Sequence, residues 1–193
     1  MREFVYFSNE AMTSGNFDTN ELMKAGRMDI AVHSIINAFF LSHSLRDDVK
    51  LHLVFYGMPD PPKHIELQVT PETKLSKKDV AGLLKKILYK YKPGIKAEVF
   101  PGCFIEKKSF LKVVESLSAQ GKELFILDKR GEDLRKVKIP KESVFILGDH
   151  EGFPRKELKR LKGIAKTVSV GPKTYFASQV VTLVNNELDL RGF

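Results

Sequence analysis

The last third of this chain holds two apolar strands that each break at a glycine, followed by a single helix. The first strand and its turn read Ile146-Leu-Gly-Asp-His-Glu-Gly-Phe-Pro154, and the second Val168-Ser-Val-Gly-Pro172. The helix spans Ala177–Asp189, with Ala177, Val180, Val181, Val184 and Leu188 on one face. Glycine allows positive φ and lets another group approach the main chain closely. Two such turns side by side make a backbone-lined pocket for a nucleoside. Because parallel sheets put ligands outside the carboxyl ends of their strands, the Leu127–Gly131, Leu147–Gly152 and Val170–Thr174 turns are all candidate binding turns.

The rest of the chain supports that architecture. Arg2–Ser8 reads as a short apolar strand, and Asn9–Asn20 as a loop. From Met28 the apolar residues fall at helical spacing to Phe40. Val49, Leu51, Leu53 and Phe55 alternate with Lys50, His52 and Tyr56, which predicts a strand with one polar face. Gly57–Pro62 holds three prolines, which fix φ and remove donors, so it is a turn. Ile65–Val69 then forms a hairpin with the preceding strand. Ser76 is placed to cap a helix carrying Val80, Leu83, Leu84, Ile87, Leu88 and Tyr91, and Pro93-Gly94 ends it. Lys96–Phe100, Glu123–Leu127, Ser143–Leu147 and Thr167–Val170 read as strands. Ser109–Gln120 and Pro154–Lys162 read as helices. The expected fold is α/β, with a mainly parallel sheet covered on both faces, as one domain over residues 1–193.

A net charge of +8 narrows the partners. Basic residues concentrate in Lys129–Lys141 and Arg155–Lys166, a pattern suited to phosphate contacts on a nucleic acid. No apolar run approaches the roughly 20 residues that span a bilayer, and no leader precedes the first strand. The chain is expected in the cytoplasm, away from membranes. Its one cysteine, Cys103, excludes an internal disulfide and a thiolate metal cluster. No Gly-x-Gly-x-x-Gly follows the first strand, which argues against a dinucleotide oxidoreductase.

Taken with Gly26-Arg-Met-Asp29 and Pro59-Asp-Pro-Pro62, the order and spacing of the C-terminal segments resemble the SPOUT superfamily of RNA methyltransferases. The closest resemblance is to the archaeal tRNA pseudouridine(54) N1-methyltransferase family, and it runs over almost the whole chain. It implies that the C-terminal helix threads a loop as a deep trefoil knot, a topology that generic chain rules would not predict. It also implies S-adenosyl-L-methionine as cofactor, tRNA rather than DNA as partner, and a homodimer. By resemblance, the cofactor contacts fall on Leu127, Gly148, Ser169, Val170, Gly171, Pro172, Lys173, Thr174 and Gln179. Two alternatives share the fold: an rRNA pseudouridine N1-methyltransferase, and a non-catalytic RNA-binding protein.

The implied target is N1 of a pseudouridine. Once that nitrogen loses its proton it attacks the sulfonium methyl directly, with no covalent enzyme intermediate. Asp60, in a proline-stiffened turn, is the candidate base or polariser; the alternative is a turn aspartate bonding its own backbone. Arg27, just before a helix, is the candidate for a phosphate or the uracil carbonyl; the alternative is a salt bridge to Asp29 or Glu21. Relatives often carry cysteine where this chain has Gln179, so a thiolate mechanism at that position is removed. Asp149, His150 and Glu151 are adjacent and point apart, so no metal is expected there.

Overall fold

The computed structural model describes residues 1–73 and 75–193. In chain order its strands are β1 (Arg2–Ser8), β2 (Val49–Phe55), β3 (Lys63–Gln68), β4 (Ala97–Phe100), β5 (Cys103–Glu106), β6 (Glu123–Asp133), β7 (Ser143–Gly148) and β8 (Lys166–Ser169). Its helices are α1 (Met28–Phe39), α2 (Val80–Tyr89), α3 (Phe110–Ala119), α4 (Arg155–Leu161) and α5 (Ala177–Leu190). The strands form one sheet in the order β4-β5-β3-β2-β1-β7-β6-β8.

The sheet has two halves of different character. From β2 through β1, β7 and β6 to β8 every pairing is parallel. From β2 outward through β3, β5 and β4 every pairing is antiparallel. β1 lies mid-sheet and all seven of its residues are buried, as expected for a parallel strand covered on both faces. One face packs Phe4, Tyr6, Leu51, Leu53, Ile65 and Ile105 under α1, α2 and α5. The other packs Val5, Phe7 and Val54 under α3 and α4. Among the described residues, the apolar cluster on that second face contains none from β3, β4 or β5.

Most expected elements are present, with four differences. The strand β5 was not expected; it follows β4 closely across a turn at Pro101-Gly102, and Gly102 sits at φ +74°. Ser76 does not cap α2. It precedes a short 3-10 turn over Lys77–Asp79, makes no side-chain cap bond, and α2 starts at Val80. Ser109, by contrast, does cap α3 by accepting from the Lys112 N–H. β6 runs on to Asp133, past the expected end at Leu127, because residues 128–131 bulge out: both Leu127 and Glu132 pair with Val168. Finally, His52 is buried at 3% exposure although its alternation assigned it to a solvent face.

Candidate active site

The carboxyl ends of β7, β6 and β8 adjoin in the sheet, and their turns hold all the cofactor candidates except Gln179 at the head of α5. Each turn shows a close backbone approach. A Cβ on Gly148 would lie 2.8 Å from Gly152 Cα, across the turn that leaves β7. A Cβ on Gly131 would lie 2.5 Å from the Val168 backbone, so the β6 bulge is pressed against β8. A Cβ on Gly171 would lie 2.9 Å from the Tyr175 hydroxyl, which closes over the β8 turn. Ser169 stiffens that turn: its hydroxyl donates to Gly171 O at 2.8 Å and accepts from the Gly171 N–H at 3.1 Å. Leu127 and Val170 pack against the main core, and Pro172, Lys173 and Thr174 are exposed.

Gln179 has a role of its own. Its Oε1 accepts from the Phe176 N–H at 3.0 Å, satisfying a donor at the first turn of α5. At this position the side chain serves the helix start that follows the β8 turn.

Asp149 ties the β7 turn in place. Its side chain is fully buried. The carboxylate accepts from the Ser8 hydroxyl at 2.7 Å and from the Glu151 N–H at 2.9 Å. Its own N–H donates to Phe7 O. The β7 turn is thereby fastened to the end of β1. His150 and Glu151 remain exposed, and Glu10 from the loop after β1 approaches them. The Tyr6 hydroxyl lies fully buried without a hydrogen-bond partner. Burial and the nearby Asp149 carboxylate push its pKa up.

The two N-terminal motifs converge on that same loop after β1. A Cβ at Gly26 would strike Glu10 O at 1.7 Å, and one at Gly57 would strike it at 2.1 Å. The Met12 N–H donates to Ala25 O and the Thr13 N–H to Met58 O. Thr13 Oγ1 donates to Gly57 O at 2.8 Å and accepts from the Asp60 N–H at 2.8 Å. The loop is thus sewn between the Gly26-Arg-Met-Asp29 and Pro59-Asp-Pro-Pro62 segments.

Asp60 is half-exposed and doubly paired. Lys63 donates to its Oδ2 at 2.6 Å and to its backbone carbonyl at 2.6 Å, and Lys107 pairs with Oδ1. Lys107 and Lys63 together hold the Asp60 carboxyl at a pKa of about 2. Lys63 itself is buried, with its ammonium 3.9 Å from the Tyr91 ring centroid. Arg27 makes the salt bridge that was its alternative reading: Nε and Nη2 each reach Asp29 at 3.0 Å. Among the described residues Arg27 is the one non-glycine with positive φ, at +59°. Such a conformation costs about 1–3 kcal/mol and persists only where surrounding contacts impose it.

Sequence reasoning missed Ser8, Thr13, Lys63 and Tyr175. Short polar residues at strand ends carry no periodic signal, and a buried lysine after two prolines reads as a solvated one. Cys103 is buried, and burial together with Glu98 pushes its thiol up to about 11, which keeps it protonated.

Glycine turns on three adjoining parallel strand ends, facing a basic and acidic loop, suit a backbone-bound nucleoside next to a charged substrate. A family model described as putative SAM-dependent RNA methyltransferase matches residues 1–193, and the chain belongs to that family. Its relatives there are the archaeal tRNA pseudouridine(54) N1-methyltransferases that the sequence resembles. A Thermococcus gammatolerans protein named tRNA (pseudouridine(54)-N(1))-methyltransferase is 34% identical over 98% of this chain and 97% of its own length. A Methanococcoides burtonii protein of the same name is 37% identical over 98% of this chain and 96% of its own. The crystal structure of Archaeoglobus fulgidus Nep1 bound to S-adenosylhomocysteine superposes with a TM-score of 0.66 at 16% identity. It covers 100% of this chain and 99% of the other, and it shares the fold.

Proposed function

We propose that this protein transfers the methyl group of S-adenosylmethionine to N1 of pseudouridine 54 in tRNA. The observation that carries the reading is the set of glycine turns on the adjoining ends of β7, β6 and β8, in a chain 34–37% identical end to end to enzymes of that name. At Gly131 and Gly148 a single added Cβ would meet the chain's own backbone, so only glycine lets these turns close as they do.

Leu127, Gly148, Ser169, Val170, Gly171, Pro172, Lys173 and Thr174 would hold the cofactor largely through main-chain groups, and Gln179 fixes the helix start behind them. S-adenosylmethionine supplies a methyl on a sulfonium sulfur that departs as a neutral thioether. Residues of this chain hold the target nitrogen in line with the methyl and leave room for one water at its N–H. An acid with a pKa of about 2 is a weak proton acceptor at neutral pH. Asp60 therefore orients the N1–H as a fixed anion, and water takes the proton. Arg27, locked by Asp29, presents the remaining N–H groups of its guanidinium to a phosphate or the uracil carbonyl. Exposed Lys129, Arg130, Arg155 and Lys156 flank the β6 and β7 turns and supply charge for RNA.

The whole of residues 1–193 acts as one unit, with the C-terminal helix knotted. What supports the knot is the resemblance to SPOUT enzymes; the residue that ends α5, Arg191, is tied down by donating to the carbonyls of Leu134, Arg135 and Val137 between β6 and β7. Exposed Phe176 just before α5 and exposed Leu190 at its end support a homodimer. Among the described residues no helix is long and apolar enough to cross a membrane, and the cytoplasm is where this reading places the enzyme.

The test is methyl transfer from labelled cofactor to tRNA carrying pseudouridine 54, alongside an rRNA fragment containing pseudouridine. Transfer to the tRNA is expected. Preference for the rRNA would move the enzyme to the rRNA class, and tight RNA binding without transfer would make it a non-catalytic binder.

A further inference from the structure

The antiparallel half of the sheet carries a second polar constellation, well apart in sequence from the cofactor turns. On the sheet face away from α2, His52 of β2 and His64 of β3 lie side by side, each 3% exposed. Their rings are nearly parallel, and His52 Nδ1 faces His64 Nε2 at 2.8 Å. The outer nitrogen of each ring meets a carboxylate: His52 Nε2 meets Glu3 Oε1 of β1 at 2.8 Å, and His64 Nδ1 meets Glu106 Oε1 of β5 at 2.9 Å. Glu66 Oε2 lies 3.9 Å from His52 Nδ1. One atom each from His52, His64 and Glu66 falls within 4.8 Å of the others.

Counting protons exposes the problem this cluster must solve. A neutral imidazole has one N–H, and the carboxylates of Glu3 and Glu106 are acceptors that claim it at the outer nitrogen of each ring. The inner nitrogens are then left with lone pairs facing each other at 2.8 Å. Lone pairs that close repel, so a cation belongs between them, either a proton or a metal ion. A proton shared between the two rings satisfies the inner nitrogens alone and does not engage Glu66, which meanwhile pairs with Lys96 at 2.8 Å and Lys50 at 3.5 Å. A metal ion uses all three inner atoms, and it explains why both outer nitrogens are bonded to carboxylates, the arrangement that orients metal-ligating histidines.

We propose that His52, His64 and Glu66 form a binding site for a divalent transition-metal ion, zinc foremost, oriented by Glu3 and Glu106. Two imidazoles and one carboxylate are a common three-ligand zinc set, with a water in the fourth position. Zinc–nitrogen bonds of about 2.0–2.1 Å at tetrahedral angles require the two inner nitrogens to open to about 3.3 Å. Side-chain rotation supplies that half-ångström. Lys96, which now donates to Glu66 Oε2 at 2.8 Å, is 41% exposed and can swing to solvent as the ion arrives, while Lys50 stays 3.5 Å from the other oxygen, Oε1. The ion would bridge β2 and β3 directly, with β1 and β5 behind it. It would anchor the start of β3, where Lys63 grips Asp60. The proposal does not depend on the methyl-transfer reading.

The experiment is zinc titration of the full chain, stripped with chelator, by calorimetry and by metal analysis after gel filtration. One zinc per chain is expected, with a higher melting temperature than the stripped protein. His52→Gln and His64→Gln should each lose the ion. Glu106→Gln, which keeps every proposed ligand, should weaken affinity by roughly 10–100-fold. If the histidine variants fail to fold, cobalt(II) in the wild-type chain reports instead: a tetrahedral ligand-field spectrum with two imidazoles by X-ray absorption is expected. Absence of stoichiometric zinc and an unchanged melting temperature in excess zinc would overturn the proposal. So would an ion that survives in His64→Gln and is lost in His150→Gln, since it would then belong to the exposed Glu10, His150 and Glu151 group.

Discussion

The parallel and antiparallel halves of the sheet solve opposite problems. In the parallel half, the side chains of mid-strand are mostly apolar on both faces, Glu3 of β1 being an exception that joins the neighbouring network, and three glycine turns lie at the strand ends. In the antiparallel half, one face is apolar under α2 while the other holds histidines, glutamates and lysines in a continuous network. A backbone site tolerates most side-chain change but no added bulk. A side-chain site tolerates bulk nearby but not the loss of a single partner.

The sharpest way to break that contrast is to add one carbon chain to a turn of the parallel half. Gly148→Val places its Cβ against the Gly152 backbone, which cannot swing aside as a side chain would. Cofactor affinity measured by calorimetry should fall by roughly 100-fold or more, about 2.7 kcal/mol. A variant binding as tightly as wild type would remove the β7 turn from the site. Gly171→Val should also weaken binding, because its Cβ meets the end of the Tyr175 side chain and its φ of +158° suits few residues other than glycine. A Gly171→Val, Tyr175→Ala double variant should recover part of the loss, measured in the same titration.

Next in size is the anchor of the Asp60 loop. Lys63→Met keeps length and burial but releases the Asp60 carboxylate and carbonyl. Single-turnover methyl transfer should drop with little change in cofactor affinity, because the loop proposed to face the substrate loosens while the turns of β7, β6 and β8 are untouched. Asp60→Asn should lower the single-turnover rate by about tenfold, short of the roughly 10²–10⁴-fold typical of a lost general base. The pH–rate profile sharpens this. With a carboxyl pKa of about 2, Asp60 stays ionised throughout the working range, so the wild-type rate should show no acid limb near the ordinary aspartate value of 3.8. An acid limb there that vanishes in Asp60→Asn would restore Asp60 as the base.

The smallest effect concerns the clasp of the C-terminal helix. Asp189 pairs with Arg46 and Arg2, which lower its pKa below 3.8. A lowered carboxylate pKa stabilises the fold above the unfolded value, and that contribution is lost as pH falls through the folded one. Asp189→Asn should cost at most ~1 kcal/mol at pH 7, since the carboxylate is partly exposed. The gap between variant and wild type in denaturant melts should close as pH drops below 3.8. A gap that persists at low pH would assign the loss to packing.

The two halves were also unequally legible in the sequence. Strands β1, β2 and β7 and helices α1, α3 and α5 announce themselves because burial on one or both faces writes itself as apolar periodicity. The glycine turns were legible because few residues other than glycine permit such close backbone approach. The network of the antiparallel half was not. His52 and Lys50 read as the polar face of a strand, and only the three-dimensional neighbours Glu3 and His64 show that His52 is buried and paired. Asp60 and Arg27 were legible as residues but not in their partners: the lysines that depress Asp60 come from β3 and from the residue after β5, and the latter strand was not foreseen. The β6 bulge escaped because a looped-out segment rich in charge looks like a strand end.

The most direct measurement is a crystal structure of the chain with S-adenosylmethionine. The adenosine should lie against the main chain of Leu127, Gly148 and Gly171, with the methyl directed toward the Asp60 loop. Density for the cofactor elsewhere, such as the cleft between Arg2, Lys141 and Phe193 at the opposite end of the parallel strands, would contradict the assignment of the three turns.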